Sequence, residues 1–301
     1  MRRLIRTKLL VTFILLMINS ILLAIVKTKQ DPYDLISFLK ASASAPWSRA
    51  PLRGAKEDLS CSKDKIVVTP ARDVDDISWI ERELPDWQYA IYYVDHPSTV
   101  GRADSLRTPV NKGNEAMAYL TYIIDHYHTQ IPDVVAFLHS HRNGFWKAWH
   151  VDDPLHDNAR AMQHVRLDFV IQHGYVNLRC NWTPGCTKTS EPNPHFGNQT
   201  WDEIFANTST PYFDPTSGRP AAASHETTLT SFQSGEDASA RHIWTPCCAQ
   251  FTVSRDQIYR RPFQDYVNIR RWLLDTELED AHSGRILEYL WHVIFGKEAV
   301  Q

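Results

Sequence analysis

The chain has 301 residues, enough to bury one large core or two small ones beyond a targeting segment. Its formal charge of −3 leaves no basic footprint, which argues against a nucleic-acid partner. The cysteines, Cys61, Cys180, Cys186, Cys247 and Cys248, show no Cys-x-x-Cys spacing, so disulfide bridging in an oxidising compartment outranks a zinc site.

Arg2, Arg3, Arg6 and Lys8 precede an uncharged run from Leu9 to Val26. At about 1.5 Å per residue that run spans roughly 27 Å, close to the hydrocarbon thickness of a bilayer. Lys27, Thr28 and Lys29 follow it where a signal peptidase would need small residues, so the run predicts an uncleaved signal anchor. The more basic flank stays cytoplasmic, giving a type II single-pass protein with its C-terminal domain lumenal. The expected organisation is a tail over 1–8, an anchor over 9–26 and an Ala, Ser and Pro-rich stem over 27–62. A lumenal α/β domain follows over 63–297.

Within that domain, Lys65 to Thr69 reads as a β-branched strand. Asp73 to Glu83 carries Val74, Ile77, Ile80 and Leu84 at helical spacing. Gln88 to Val94 predicts a second strand, Asn114 to His128 a helix, and Asp133 to Leu138 a third strand. Leu155 to Val170 predicts another helix and Tyr175 to Leu178 another strand. The Ser, Thr, Pro and Asn-rich stretch 187–240 is expected to be a loop-rich insertion. Pattern returns with a strand at Ala249 to Val253 and helices near 254–260, 263–276 and 284–295. Helices alternating with short apolar strands predict a mostly parallel sheet covered on both faces, Rossmann-type in layout. Asn181, Asn198 and Asn207 each open an Asn-x-Ser/Thr triplet, in mild support of a lumenal glycoprotein; Pro184 counts against the first. Cys180 and Cys186 are expected to close a small loop or to pair with Cys247 and Cys248.

Ligands of parallel α/β sheets bind at the carboxyl ends of strands, and His139-Ser140-His141 leaves the end of the third strand. Two extended residues apart, His139 and His141 point to one side, where His150, Asp152 or Asp153 can complete a divalent metal site. The bland alternative is a loop histidine that hydrogen-bonds backbone. Asp73, Asp75 and Asp76, in the first turn after strand one, suit a ligand's hydroxyls or an ordinary helix N-cap. Lys112 and Asn114, at a helix start, form an anion seat, and Arg142 adds a cation beside the histidines. Glu288 and His292, four apart on the last helix, suit a general base with its orienting partner, or a structural pair beside the core.

Asp76-Ile77-Ser78-Trp79, Leu84-Pro85-Asp86-Trp87, Pro109 to Ala116, Asp133 to His141, Tyr175 to Cys180, Cys247 to Arg255 and Ser283 to His292 together resemble a fungal family of uncharacterised, domain-of-unknown-function proteins. Parts are also similar to nucleotide-sugar glycosyltransferases of the GT-A type. Those open with a strand and an acidic turn, here Thr69 to Asp76, and close a later strand with an Asp-x-Asp that holds a divalent cation. His139 and His141 stand where those aspartates would, and Phe251 to Arg255 and Glu288 to Trp291 resemble the acceptor-side segment. Histidine is a poor ligand for hard Mg²⁺ or Mn²⁺, which leaves metal-independent binding, another metal or another activity open.

The resemblance implies a Golgi or ER enzyme that moves an activated sugar from a sugar nucleotide to a hydroxyl of a small molecule or glycan. Asp75, Lys112 and the histidines would face the donor, with Asp152, Asp153 or Glu288 as base. The alternatives are a metal-dependent oxidoreductase or hydrolase acting on a secondary metabolite through His139, His141 and His150, and a non-catalytic membrane scaffold.

Overall fold

The computed structural model describes residues 64–95, 106–144, 150–179, 198–205, 208 and 245–297, together with Ile14 and Met17, both helical. The chain divides into two compact units, Met1–Pro46 and Trp47–Gln301, and the fold below is that of the second. Among the described residues no helix is long and apolar enough to cross a membrane. The expected tail, anchor and stem lie outside them, Ile14 and Met17 excepted.

The second unit is a mixed α/β fold. Its strands are β1 (Lys65–Ala71), β2 (Gln88–Tyr93), β3 (Leu106–Arg107), β4 (Val134–Phe137), β5 (Tyr175–Asn177) and β6 (Phe251–Ser254). They form one sheet in the order β3-β2-β1-β4-β6-β5. The β1–β2, β1–β4 and β2–β3 ladders are parallel, whereas β6 runs against both β4 and β5. The expected mostly parallel sheet is therefore present, with one reversed strand.

Strand alternation builds two cores from single apolar runs. Ile66, Val68, Val135 and Phe137 face one side, and Val67, Val134, Ala136 and Leu138 the other. The first side is covered by α2 (Ala116–His126), α7 (Phe263–Asp275), α8 (Asp280–Glu288) and α9 (Trp291–Ile294). The second is covered by α1 (Ser78–Glu83), α3 (Asn158–Gln163) and α4 (Leu167–His173). Every residue of α2 from Ala116 to Ile123 is buried, which is why that helix reads apolar on all sides.

Several elements depart from their sequence reading. The helix expected from Asp73 begins only at Ser78, and Val74, the first member of its apolar spacing, is 81% exposed. Asp76 accepts from the Ser78 backbone N–H at 3.0 Å and holds the preceding residues in a turn. The helix expected over 155–170 is two helices, with a break at residues 164–166. The last helix likewise splits into α8 and α9 around Tyr289 and Leu290. Inside the insertion expected to be loop, Asn198–Phe205 is a helix, α5, whose Ile204 is buried in the main core. Tertiary packing supplies the support that its polar sequence hides. The other part of that insertion lies outside the described residues, except Thr208. Arg255–Tyr259 forms α6, capped by the Ser254 hydroxyl, which accepts from the Gln257 backbone N–H.

Candidate functional site

The order β3-β2-β1-β4 puts a topological switch between β1 and β4, and open α/β sheets leave a crevice there beyond the carboxyl ends. The chain leaving β1 brings Asp75, and the chain leaving β4 brings His139 and Ser140. Because β6 is reversed, it starts at this same edge, with Phe251 opposite Phe137, so Cys247 to Gln250 arrive there too. The start of α2 adds Glu115, and the last turns of α8 add Arg285 and Glu288.

A polar chain fixes the β4 exit. The His139 backbone N–H donates to Gln250 Oε1 at 2.9 Å, and Gln250 Nε2 donates to Asn158 Oδ1 at 3.1 Å. Asn158 Nδ2 donates to the His141 carbonyl at 2.6 Å. Gln250 and Asn158 are both fully buried, so these amides have no water to fall back on. Ser140 donates to Asp75 at 3.1 Å, and the Trp79 indole donates to the Ser140 carbonyl at 2.9 Å. Burial opposes the charge of Asp75, but hydrogen bonds from Arg72 and Ser140 outweigh it and hold its pKa below the ordinary range.

Above this frame sits a partly buried titratable cluster. The Nδ1 atoms of His139 and His150 lie 2.8 Å apart, one donating and one accepting. Burial, then the neighbouring cations and imidazoles, push His139 well below its ordinary pKa and His150 down to about 4. Glu115 is pushed the other way, up to about 8, by burial and by the nearby Glu288. Its carboxyl lies 3.8 Å from His139 Nε2. Since both groups are held neutral, that contact is not an ion pair, and at this distance it is not a hydrogen bond either. His139 Nε2 and the Tyr119 hydroxyl are buried with no hydrogen-bond partner among the described residues. Glu288 is raised by burial, in part offset by Arg285, which bonds both its oxygens at 3.0 and 2.8 Å, and by the Cys248 backbone N–H.

The sequence-derived candidates fall into two groups. Asp75, His139, His150 and Glu288 lie on segments at the carboxyl ends of β1 and β4: the two histidines touch each other, Asp75 accepts from Ser140, and Glu288 accepts from the Cys248 backbone N–H. The others hold structure together. Arg142 forks onto Glu83 at 2.6–2.9 Å and reaches Asp157 at 3.1 Å. Lys112, expected to seat an anion, donates to the carbonyls of Leu274 and Thr276 at the end of α7. Asn114 has φ 53° and lies against Gly284 of α8. Asp76 holds Ser78, and Asp73 donates its backbone N–H to Asp95. Asp153 accepts from Arg160 and from the Leu155 backbone N–H. Asp152 is exposed, with its backbone N–H on the Leu178 carbonyl. His292 is buried beyond the helix break, in α9.

The expected three-histidine metal set does not assemble. His139 and His150 spend a nitrogen each on one another, and 2.8 Å is a hydrogen-bond separation between them. Among the described residues, the group that brings three ligand atoms within 4.8 Å of one another is Cys247, Cys248 and Glu288. Cys247 and Cys248 are disulfide-bonded to each other, a pairing that replaces the expected bridges from Cys180 and Cys186 to this couple. Cys180, Cys186, Asn181 and Asn207 lie outside the described residues, while Asn198 is the first residue of α5. Glu115 is the residue that sequence reasoning passed over. The signal was present: a carboxyl directly before an all-apolar helix has to share its burial.

A six-stranded sheet covered on both faces, with a polar cluster at its switch point, defines a mixed α/β protein. Residues 66–301 match the family described as "Protein of unknown function (DUF3431)", and the chain belongs to that family. No curated protein and no solved structure matches it.

Proposed function

We propose that this is a membrane-anchored transferase of the GT-A kind that passes an activated sugar from a nucleotide to an acceptor hydroxyl in the secretory pathway. The observation that carries the reading is Glu288. It is a carboxylate of raised pKa at the switch-point crevice, held in place by Arg285 and by a backbone N–H. A carboxylate of raised pKa takes a proton more readily than an ordinary one. As the acceptor oxygen attacks the anomeric carbon, Glu288 takes its proton and the nucleoside diphosphate departs with the bonding pair. Arg285, whose side chain is about half exposed, offers positive charge to that leaving group. Asp75, set between Arg72 and Ser140, suits the donor's hydroxyls.

The divalent cation that the resemblance implies does not fit the residues present. The exit of β4 offers neutral imidazoles engaged with each other, and hard cations want oxygen ligands. Transfer in this reading is therefore metal-independent. Calorimetry and thermal-shift screens of the full chain against sugar nucleotides test it. The expected result is saturable binding that survives chelator, with Glu288→Gln binding the donor normally but losing turnover; no affinity for any sugar nucleotide ends the proposal.

A further inference from the structure

The segment Thr245 to Gln250 is buried throughout, and two consecutive non-glycine residues in it, Cys248 and Ala249, have φ of 109° and 46°. Such backbone costs about 1–3 kcal/mol per residue and persists only where the surroundings impose it. Its effect is specific. In an ordinary extended segment adjacent side chains point to opposite sides, whereas here both sulfurs lie on one side, bonded to each other. Glu288 lies against them, its carboxylate accepting from the Cys248 backbone N–H, and Tyr289 packs over the same pair.

We propose that Cys247 and Cys248 are a reversible redox pair whose dithiol form, with Glu288, binds a thiophilic divalent cation such as Zn²⁺. Reduction takes two electrons and two protons from a dithiol reductant, which leaves as its own disulfide, and yields two thiols on this chain. Metal uptake then displaces both thiol protons and forms two metal–sulfur bonds and one metal–oxygen bond. Two thiolates and a carboxylate are the soft and borderline donors that zinc accepts, and three protein ligands leave its fourth position open. The backbone already holds both sulfurs on the carboxylate's side, with the three ligand atoms within 4.8 Å of one another. The consequence for transfer rests on the base role given to Glu288: metal occupies the carboxylate and silences it. Metal uptake itself does not depend on that role.

The test uses the full chain in detergent. Mass spectrometry of the non-reduced protein should find Cys247 linked to Cys248; linkage of either to Cys61, Cys180 or Cys186 overturns the proposal. After reduction with a phosphine and desalting, zinc titration against a competing chelator should show stoichiometric uptake that the oxidised protein lacks. Cys247→Ser and Glu288→Gln should each weaken it by at least the roughly 10- to 100-fold that loss of a supporting group already costs at metal sites. Cobalt substitution of the reduced wild type provides a readout independent of variant stability, since thiolate ligation gives a charge-transfer band. A reduced protein with both thiols titratable and no zinc uptake, or uptake unchanged in the Cys247→Ser/Cys248→Ser variant, removes the site. Zinc uptake without any loss of sugar transfer would leave the metal site standing and remove Glu288 as the base.

Discussion

Individual charges in this molecule do opposite jobs according to their depth. Arg142 is a fastening: it bridges Glu83, the last residue of α1, and Asp157, the N-cap of α3, and Asp157 is buried. Hydrogen bonds to charged groups contribute about 1.5–3 kcal/mol, and partial exposure of the Glu83 pair favours the lower end. Arg142→Ala should therefore lower unfolding free energy by about 2 kcal/mol in urea titrations, and Lys, lacking the planar fork, should restore little of it. A ligand-binding Arg142 would instead leave stability unchanged. Glu115 acts through the proton it keeps. Its folded pKa of about 8 exceeds the ordinary 4.5, so the folded state holds a proton that the unfolded chain releases across that interval. Stability from this group is complete below pH 4.5 and declines as pH rises toward 8. His139 and His150 have depressed values, and their effect is confined below the ordinary histidine value of 6.5, with stability falling as pH falls. Between pH 6.5 and 8 Glu115 still gives up its folded-state proton, so wild-type urea midpoints should drop and Glu115→Gln should flatten the drop. An equal drop in the variant would show that the proton sits elsewhere.

At the scale of elements, the turn before α2 shows what sequence could and could not convey. Lys112, Gly113 and Asn114 read as an anion seat because loose polar residues before a helix are a recurrent ligand motif. In the structure Gly113 has φ 68°, and a Cβ there would come within 2.5 Å of Leu273 on α7. The glycine is thus a packing hinge that seats Glu115. Gly113→Ala combines a left-handed cost of about 1–2 kcal/mol with overpacking of about 1–3 kcal/mol. The sum, about 2–5 kcal/mol, should appear as a lower thermal midpoint accompanied by a weaker response to sugar nucleotide. β1, β2 and β4 were legible because their apolar runs are long enough to show in-and-out packing against two layers. β3 was not, having two exposed residues and only the β2 edge to define it. The reversal of β6 was also hidden, since four buried residues in a row look alike in either direction. Of the site, the histidines and Glu288 were visible as residue types. The backbone frame that places His139 depends on a contact between distant segments, its N–H on the Gln250 side chain, which no local pattern encodes.

At the scale of the whole molecule, the family match begins at residue 66 and β1 at Lys65, so matched region and folded sheet start together. β1 is central to the sheet: it is hydrogen-bonded to β2 on one side and β4 on the other, and among the described residues no other strand pairs with both. Val67 and Val68 are fully buried on opposite faces, and each side chain of that kind is worth about 1.5–3 kcal/mol on burial. Those two side chains alone come to about 3–6 kcal/mol, a large share of the roughly 5–15 kcal/mol by which domains are typically stable, and both β1 ladders are lost with them. A chain beginning at residue 63 should consequently unfold cooperatively at the same temperature as the full protein, followed by circular dichroism. A chain beginning at residue 72 should show no cooperative transition. Truncation also separates folding from address: the full chain should resist carbonate extraction from membranes, and the chain from residue 63 should remain in solution. A shorter chain that stays membrane-bound would move the anchor out of residues 9–26 and with it the argument for a type II lumenal enzyme.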